Sequence, residues 1–309
     1  MPLTGKSIAV LGANGFIGTH LCPLLIKNGA HVSAFDRNLS PAVDQCDNRH
    51  GDFLKADDVD HAISECDAIV HLIHSTLPIS SNKSPLTDAS DNIIPSLRLL
   101  DLAVKHHIKR IIYVSSGGTV YGKQIQWPIL ESAPTYPNCA YAISKLAIEH
   151  YCSLYHHLYK LDYTVLRVAN PYGPFQATHK GNGVITTFIE GYLKNKPLEI
   201  WGNGLTVRDY IHVEDVASAI IKSLNYTGPH KCFNIGSGTG KSILNLISVL
   251  EEVIGHPIDK TFFENRTPDI PQNVLNTYLA KQELHWSPTI PLHRGIKELI
   301  NFMKTQVTA

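Results

Sequence analysis

The feature that most constrains the fold is a glycine-rich turn near the start of the chain. Gly12, Gly15 and Gly18 form the run G-A-N-G-F-I-G directly after the strand-like segment Ser7–Leu11. The first glycine permits a tight turn, the second lets the backbone approach a pyrophosphate, and the third lets a helix pack closely on the strand. Free N–H groups at the start of that helix favour phosphate. The pattern therefore predicts a dinucleotide-binding strand, turn and helix.

Short apolar runs alternate with helical stretches through the first half of the chain. The predicted strands are Ser7–Gly12, His31–Phe35, Ala68–Leu72, Arg110–Ser115 and Thr164–Val168, and the predicted helices are Phe16–Lys27, Asn92–His107 and Tyr141–Tyr159. This alternation predicts an α/β protein with a doubly wound parallel sheet of the Rossmann type and helices on both faces.

The second half is interrupted by many glycines and prolines and predicts a smaller C-terminal α/β lobe that binds the substrate. We expect residues 1–169, together with about 206–236, to form the dinucleotide-binding domain. Residues 170–205 and 237–309 would then form the substrate lobe. The long helix Tyr141–Tyr159 carries an apolar stripe at three- and four-residue steps, formed by Ile143, Ala147, Tyr151, Leu154 and Leu158.

Composition narrows the class of protein. The 27 basic and 27 acidic side chains balance, so no net charge attracts nucleic acid or an anionic membrane. The six cysteines form no C-x-x-C pair, which indicates free thiols in a reducing compartment. No signal-peptide pattern is visible and no apolar run reaches about 20 residues, so we expect a cytoplasmic protein. The 17 histidines form no metal-binding motif, and we predict no metal site.

An acidic residue after the second strand indicates which dinucleotide binds. Asp36 lies at the distance from Gly18 at which a carboxylate accepts hydrogen bonds from the adenosine ribose and repels a 2′-phosphate. This favours NAD over NADP, although the neighbouring Arg37 is a group that can bind that phosphate and keeps NADP as the alternative. Asp52 and Phe53 follow the predicted third strand and are expected to face the adenine.

A tyrosine and a lysine on the long helix are the candidate catalytic pair. Tyr141 and Lys145 are four residues apart and therefore share one helix face. A phenol has a pKa of about 10, and acting as a base near neutrality requires a depression of roughly three units. Lys145 and a positively charged nicotinamide are both expected to lower that pKa. The alternative is a surface pair without a chemical role.

A second glycine-rich run, Gly236–Ser242, resembles a triphosphate-binding loop but lacks its spacing, because Ile235 occupies the position of the first glycine. We predict instead a turn at Gly240 and a helix that is capped by Ser242 and carries Leu246 and Leu250.

These motifs together resemble the extended short-chain dehydrogenase/reductase family. The most similar branch is the NAD-dependent sugar-nucleotide epimerases and dehydratases, typified by UDP-galactose 4-epimerase. The resemblance is carried by Gly12, Gly15, Gly18, Asp36, Asn92, the run S-S-G-G-T-V-Y-G at 115–122, Tyr141, Lys145, N-P-Y-G at 170–173, R-D-Y-I-H at 208–212, and Arg266–Asp269.

The resemblance implies a mechanism and a set of cofactor contacts. Tyr141 would take a proton from a sugar hydroxyl while hydride passes to NAD, and Lys145 would bind the nicotinamide ribose. The transient 4-keto sugar would turn over before the hydride returns to its other face. The implied cofactor-binding residues are Gly12, Gly15, Phe16, Ile17, Gly18, Asp36, Arg37, Asp52, Phe53, Leu72, Asn92, Ser115, Tyr141 and Lys145.

The resemblance also implies a nucleotide-sugar site, with a UDP-sugar as the expected substrate. The implied substrate-binding residues are Asn170, Val184, Trp201, Arg208, Tyr210, Arg266, Asp269 and Asn273. Within this set the two arginines would bind the diphosphate and Trp201 would stack on uracil. The small Asn273 would leave room for an N-acetyl group. A homodimer is expected through the helices that match Asn92–His107 and Tyr141–Tyr159.

The sequence departs from the family where a catalytic Ser or Thr is usual, because that position is Gly117. Ser116, Thr119 or a water molecule are the candidates to replace the missing hydroxyl. Gly118 and Thr119 also replace the two acids of the dehydratases, which favours epimerisation at C4, with polysaccharide biosynthesis as the expected setting. A 4,6-dehydratase, a 4-keto reductase and a non-catalytic NAD-binding regulator are the alternatives.

Overall fold

The chain folds into one large parallel sheet, two small sheets and the helices that cover them. The computed structural model describes residues 3–38, 43–176, 183–264 and 270–307. The strands are β1 (Ser7–Leu11), β2 (His31–Asp36), β3 (Asp47–His50), β4 (Ala68–His71), β5 (Arg110–Ser116), β6 (Asp162–Val168), β7 (Asn170–Tyr172), β8 (Leu198–Trp201), β9 (Val207–His212), β10 (Cys232–Ile235), β11 (Gly240–Ser242), β12 (Lys260–Phe263) and β13 (Gln272–Asn273). The helices are α1 (Gly18–Lys27), α2 (Ala56–Ile63), α3 (Pro78–Ser81), α4 (Pro85–Lys105), α5 (Ala140–Tyr159), α6 (Val184–Leu193), α7 (Val213–Leu224), α8 (Ile243–Ile254), α9 (Tyr278–Glu283) and α10 (Leu292–Val307).

The large sheet has seven strands in the order β3-β2-β1-β4-β5-β6-β10, and every pair is parallel. The direction in which strands are added reverses between β1 and β4. Sheets of this kind bind ligands beyond the carboxyl ends of the strands at that reversal. The predicted α/β class and the doubly wound parallel sheet are confirmed.

Both faces of the large sheet are covered, which explains its unbroken apolar strands. On one face, α1 and α7 pack Leu21, Leu25 and Ile220 against buried residues of β1 and β5. On the other face, α2, α4 and α5 contribute Ile63, Leu99 and Ile148, among others, to a second core. This burial supplies the main stabilisation, at about 25 cal/mol per Å² of apolar surface removed from water.

The C-terminal lobe has its own core and its own small sheets. Strand β9 pairs with β7, β11 and β13, while β8 pairs with β12. Helices α6, α8 and α10 bury Phe188, Leu246 and Leu299 against them. Ser242 caps α8 as predicted, because its Oγ accepts a hydrogen bond from the Asn245 N–H at 3.0 Å. The predicted turn at Gly240 is wrong: Gly240 opens β11.

Several element boundaries also differ from the predictions. Helix α1 begins at Gly18 instead of Phe16, since the glycine turn extends through Ile17. Helix α4 begins at Pro85, well before the predicted Asn92, because proline fits the first turn of a helix, where its missing N–H costs nothing. No helix within the described ranges is long and apolar enough to cross a membrane.

The apolar stripe of α5 does not face the core. Ile143 and Leu158 are 53% and 55% exposed, and Leu154 is exposed as well. The buried side of the helix carries the polar Ser144, Lys145 and Glu149 beside the apolar Ala142, Ile148 and Cys152. Helix α5 therefore turns functional side chains inward and leaves an apolar surface outward.

Candidate functional site

The glycine turn between β1 and α1 tolerates no side chains at two of its positions. Gly12 has a φ of 92°, which disfavours any other residue. A Cβ atom on Gly18 would lie 2.3 Å from the carbonyl oxygen of Gly12. The turn therefore brings the start of α1 against the end of β1, in the arrangement that exposes helix N–H groups to a phosphate.

A cavity of about 360 Å³ opens over the carboxyl ends of β1, β2 and β4, and we call it the dinucleotide cleft. It lies at the reversal in strand order described above. Its walls contain many of the residues predicted to bind cofactor, namely Gly12, Gly15, Phe16, Ile17, Asp36, Arg37, Asp52, Phe53 and Leu72. Gly18 lies beneath them as the first residue of α1.

The carboxylate of Asp36 is fixed at the edge of this cleft by the backbone. Its Oδ2 accepts a hydrogen bond from Asn14 N at 3.1 Å, and its Oδ1 accepts one from Arg37 N at 2.8 Å. These bonds join the end of β2 to the glycine turn. The negative charge is thus held where the resemblance places the adenosine ribose, and it disfavours a 2′-phosphate there.

Two of the predicted cofactor-binding residues, Asn92 and Ser115, form hydrogen bonds with other residues of the protein. Asn92 is buried: its Oδ1 accepts from Ser75 N at 2.8 Å and its Nδ2 donates to Asp88 O at 2.8 Å. The hydroxyl of Ser115 donates to Glu149 at 2.5 Å. Neither residue lines the dinucleotide cleft, and Asn92 instead holds Ser75, which does.

Tyr141 lies at the start of α5, beside the catalytic end of the dinucleotide cleft. Its ring packs edge-to-face with the ring of His74, a residue of the cleft wall, at 4.5 Å between centroids. Burial raises the pKa of Tyr141 to about 12, and a hydrogen bond from Ser116 opposes that rise. Burial outweighs the effect of Ser116, so the pKa of the phenol is not depressed by these neighbours alone.

Lys145 lies one turn further along α5 and is buried. Its Nζ donates a hydrogen bond to Val114 O at 2.8 Å and lies 5.8 Å from the ring centroid of Tyr141. Burial lowers the pKa of Lys145 to about 7, while the carboxylates of Glu149 and Asp88 act in the opposite direction. The ammonium is therefore poised to change its charge near neutral pH.

The absence of a side chain at position 117 has a packing cause. A Cβ atom on Gly117 would lie 2.5 Å from Leu275 Cδ1 and 2.9 Å from the carbonyl oxygen of Arg167. Of the two candidate replacements, Ser116 is the one whose hydroxyl lowers the pKa of Tyr141. Thr119 directs its Oγ1 to the carbonyl of Ser116 at 3.5 Å.

A second cleft, of about 350 Å³, lies in the C-terminal lobe. Its walls bring together Asn170, Val184, Trp201, Arg208 and Tyr210. Trp201 is 41% exposed and stacks on Phe263 at 4.9 Å between ring centroids. The guanidinium of Arg208 is held by hydrogen bonds to Val207 O at 2.9 Å and Ile270 O at 2.7 Å. The second cleft thus offers an aromatic face and a fixed cation.

Of the remaining predicted substrate residues, the structure describes Asn273 alone. Asn273 is fully buried and does not line the second cleft; its Nδ2 donates to Gly117 O at 3.0 Å. Arg266 and Asp269 fall outside the described residues.

The segment after β5 joins the two clefts. Ser116 bonds Tyr141 beside the dinucleotide cleft. A Cβ atom on Gly118 would lie 3.6 Å from Asn170 Oδ1, in the wall of the second cleft. Ser116 and Gly118, two residues apart, therefore lie near Tyr141 and near a wall residue of the second cleft, respectively.

Sequence reasoning missed the buried polar groups behind this site. Asp88 is fully buried and accepts a hydrogen bond from Ser144 Oγ at 2.5 Å, and Glu149 pairs with Arg167 at 2.7 Å. No motif marks them, since their partners come from distant parts of the chain. His74 had one available signal, its position just beyond β4, the strand that pairs with β1. Within the described residues, no group of His, Cys, Asp or Glu side chains is placed to hold a metal ion.

Comparison with known proteins agrees with this geometry. The family model described as NAD dependent epimerase/dehydratase family matches residues 8–236. A putative UDP-glucose 4-epimerase of Methanocaldococcus jannaschii is 34% identical over 96% of this chain and 98% of its own length.

Solved structures show the same fold. The UDP-glucose 4-epimerase of Thermotoga maritima, crystallised with UDP-glucose, is 32% identical and superposes with a TM-score of 0.91 over 98% of this chain and 100% of its own. The UDP-glucose 4-epimerase of Thermus thermophilus, in complex with NAD, is 27% identical with a TM-score of 0.89 over 97% of this chain and 99% of its own. The chain therefore belongs to the NAD-dependent epimerase/dehydratase family.

Proposed function

We propose that this protein interconverts C4 epimers of a UDP-sugar, UDP-glucose and UDP-galactose or their N-acetyl forms, through a transient 4-keto intermediate. The observation that carries the proposal is the packing of Tyr141 against His74 in the wall of the dinucleotide cleft, with Lys145 Nζ 5.8 Å from the centroid of the phenol ring. The choice of a UDP-sugar as the substrate rests on the relatives named above, which carry the name UDP-glucose 4-epimerase.

The dinucleotide cleft fits NAD on its own chemistry. The glycine turn excludes side chains where a pyrophosphate must approach, and Asp36 presents a fixed carboxylate to a ribose. Gly12, Gly15, Phe16 and Ile17 would hold the phosphates. Bound NAD would supply reversible acceptance of a hydride from the sugar carbon.

The proton chemistry falls to the chain's own residues. Tyr141 would take the proton of the sugar 4-hydroxyl and later return it, so that no net proton is consumed. Ser116, bonded to the phenol, would hold the sugar oxygen in line with it and replace the hydroxyl missing at Gly117. The positive charge of Lys145 would favour the phenolate once the cofactor excludes water.

The second cleft suits a uridine diphosphate. Trp201 offers a stacking face for the base, and Arg208 a rigid guanidinium for the diphosphate. Asn273 folds back onto Gly117, so no bulky side chain extends from that position toward the sugar. Gly118 and Thr119 supply none of the acid groups that elimination of water would need.

The decisive experiment incubates purified protein with UDP-glucose, UDP-galactose and their N-acetyl forms, followed by chromatography of the products. We expect each epimer to form from its partner without lasting reduction of NAD. Stoichiometric consumption of added NADH would indicate a reductase, and a 4-keto-6-deoxy product a dehydratase. Lack of any turnover with bound NAD would favour a regulator.

We also propose that the protein forms a homodimer through α4 and α5. The outward sides of these adjacent helices carry exposed apolar residues, including Leu86, Ile94, Ile143, Leu154 and Leu158. A two-fold axis beside such a pair generates a four-helix interface that removes these side chains from water.

A further inference from the structure

His74 is a buried histidine that neither the motifs nor the proposed reaction uses. Its side chain is 6% exposed, and neither ring nitrogen has a hydrogen-bond partner among the described residues. Leaving buried polar atoms unpaired costs about 1–3 kcal/mol, and phenylalanine would avoid that cost. A histidine here therefore calls for a reason other than stability.

The location of His74 points to a ligand. It lines the dinucleotide cleft beside Ile73 and Ser75, and its ring contacts Tyr141, which marks the reacting end of that cleft. His71 shows that an unpaired nitrogen alone is not enough: its Nδ1 is also unpaired, but His71 lies in the core and does not line the cleft. His74 differs from His71 because it lines the dinucleotide cleft.

The surroundings of His74 determine which nitrogen carries the proton. Burial and the nearby Lys145 both lower the pKa of His74, so the ring is neutral and has one donor and one acceptor. The acceptor Asp88 Oδ1 lies 3.5 Å from Nε2. Asp88 is itself held by the hydroxyls of Ser144 and Thr76. The nearby carboxylate favours the tautomer with its hydrogen on Nε2, which leaves Nδ1 as the acceptor.

We propose that His74 binds the reactive half of the dinucleotide, with Nδ1 accepting a hydrogen bond from a donor on the nicotinamide side. The available donors there are the hydroxyls of the second ribose and the amide of the carboxamide. Nδ1 has no partner among the described residues, and its ring forms part of the cleft wall, where a bound dinucleotide would bring such a donor. His74 thereby fixes the position of the cofactor's reactive half next to Tyr141.

The test measures affinity, by calorimetry, for NAD, ADP-ribose and ADP on protein freed of bound dinucleotide. We expect His74→Phe to weaken NAD about 5- to 50-fold and to leave ADP unchanged, because ADP lacks the reactive half. Weakened ADP-ribose would identify the ribose hydroxyls as the donor, and unchanged ADP-ribose the carboxamide. His74→Ala serves as a second variant, and thermal denaturation confirms that both fold.

The matched control is His71→Phe, the same chemical change three residues away in the core, for which we expect unchanged affinity for all three ligands. Unaltered NAD binding by His74→Phe would overturn the proposal. So would an equal loss for ADP, or an equal loss in the His71 variant. The inference rests on the NAD site and not on the sugar: the expected binding pattern in a protein without epimerase activity would refute the proposed function alone.

Discussion

At the scale of single residues, the proposed chemistry depends on one phenol and one hydroxyl. We expect Tyr141→Phe to lower kcat by about ten- to a hundredfold or more, which is the usual contribution of a general base. Ser116→Ala should lower kcat by about tenfold, since Ser116 bonds the phenol. Initial rates of UDP-galactose conversion provide the measurement.

Thr119→Val is the matched control for Ser116→Ala, because Thr119 uses its hydroxyl on a backbone carbonyl instead of the phenol. Its kcat should fall less than that of Ser116→Ala. A larger loss of kcat in Thr119→Val than in Ser116→Ala would show that Thr119, and not Ser116, replaces the missing hydroxyl.

Lys145 gives a prediction about stability and pH. Burial lowers its pKa to about 7 in the folded protein, against an ordinary value of 10.5 in the unfolded chain. Between these values the unfolded chain binds the extra proton, so this residue makes the free energy of unfolding rise with pH. Below about 7 both states are protonated and the cost of burying the charge is constant.

Lys145→Met removes this dependence. From pH 7 to about pH 9, the free energy of unfolding of the wild type should gain on that of the variant by on the order of 2 kcal/mol. Urea titrations of both proteins at several pH values measure the difference. A constant difference across that window would show that the folded-state pKa of Lys145 is not lowered.

How much of the site the sequence could predict follows from the kind of residue involved. Gly12, Asp36 and Tyr141 are in motifs whose spacing is set by local geometry, and the structure places all three at one cleft. His74 and Asp88 meet only through tertiary packing, so no spacing reveals them. Burial raises the pKa of Tyr141 through neighbours distant in sequence, an effect that the spacing of Tyr141 and Lys145 does not reveal.

At the scale of secondary-structure elements, the turn after β5 explains why the family's usual hydroxyl is missing. Leu275 and the backbone of Arg167 fill the space that a side chain on Gly117 would need. We therefore expect Gly117→Ser to destabilise the protein by about 1–3 kcal/mol, the cost of overpacking a filled core. Thermal or urea denaturation measures the loss.

Gly118→Ser is the control for that variant, because the nearest atoms to its added Cβ lie at 3.6 Å, an ordinary contact distance. It should cost clearly less than Gly117→Ser. Combining Gly117→Ser with Leu275→Ala should lose less stability than the sum of the two single changes, since each relieves the other. If the two losses of stability simply add, contact with Leu275 is not the reason that position 117 is a glycine.

The elements themselves were predictable where periodicity is strong. Buried strands β1, β4 and β5 read as apolar runs because helices cover both of their faces. Strand β3, D-N-R-H, lies at the sheet edge and contains no apolar residue, so it was predicted only through the G-D-F run at 51–53 that follows it, without bounds of its own. The stripe on α5 was visible, but periodicity alone does not tell a core from a surface that another chain would cover.

At the scale of the whole molecule, the exposed apolar stripe of α5 predicts that the protein dimerises through this helix. Leu154 lies on the exposed side of α5, near Leu158, and would be buried twice in a two-fold interface. Removing a leucine contact costs about 1.5–3 kcal/mol on each copy, so Leu154→Glu should weaken dimerisation at least about 100-fold. Sedimentation velocity should show a dimer for the wild type and a monomer for this variant at equal concentration. Ile125→Glu, at an equally apolar but more exposed position outside the residue ranges of α4 and α5, should leave the dimer intact. A monomeric wild type would contradict the proposed interface. Dimers that survive Leu154→Glu but dissociate with Ile125→Glu would show that the interface lies at the loop that follows β5 instead.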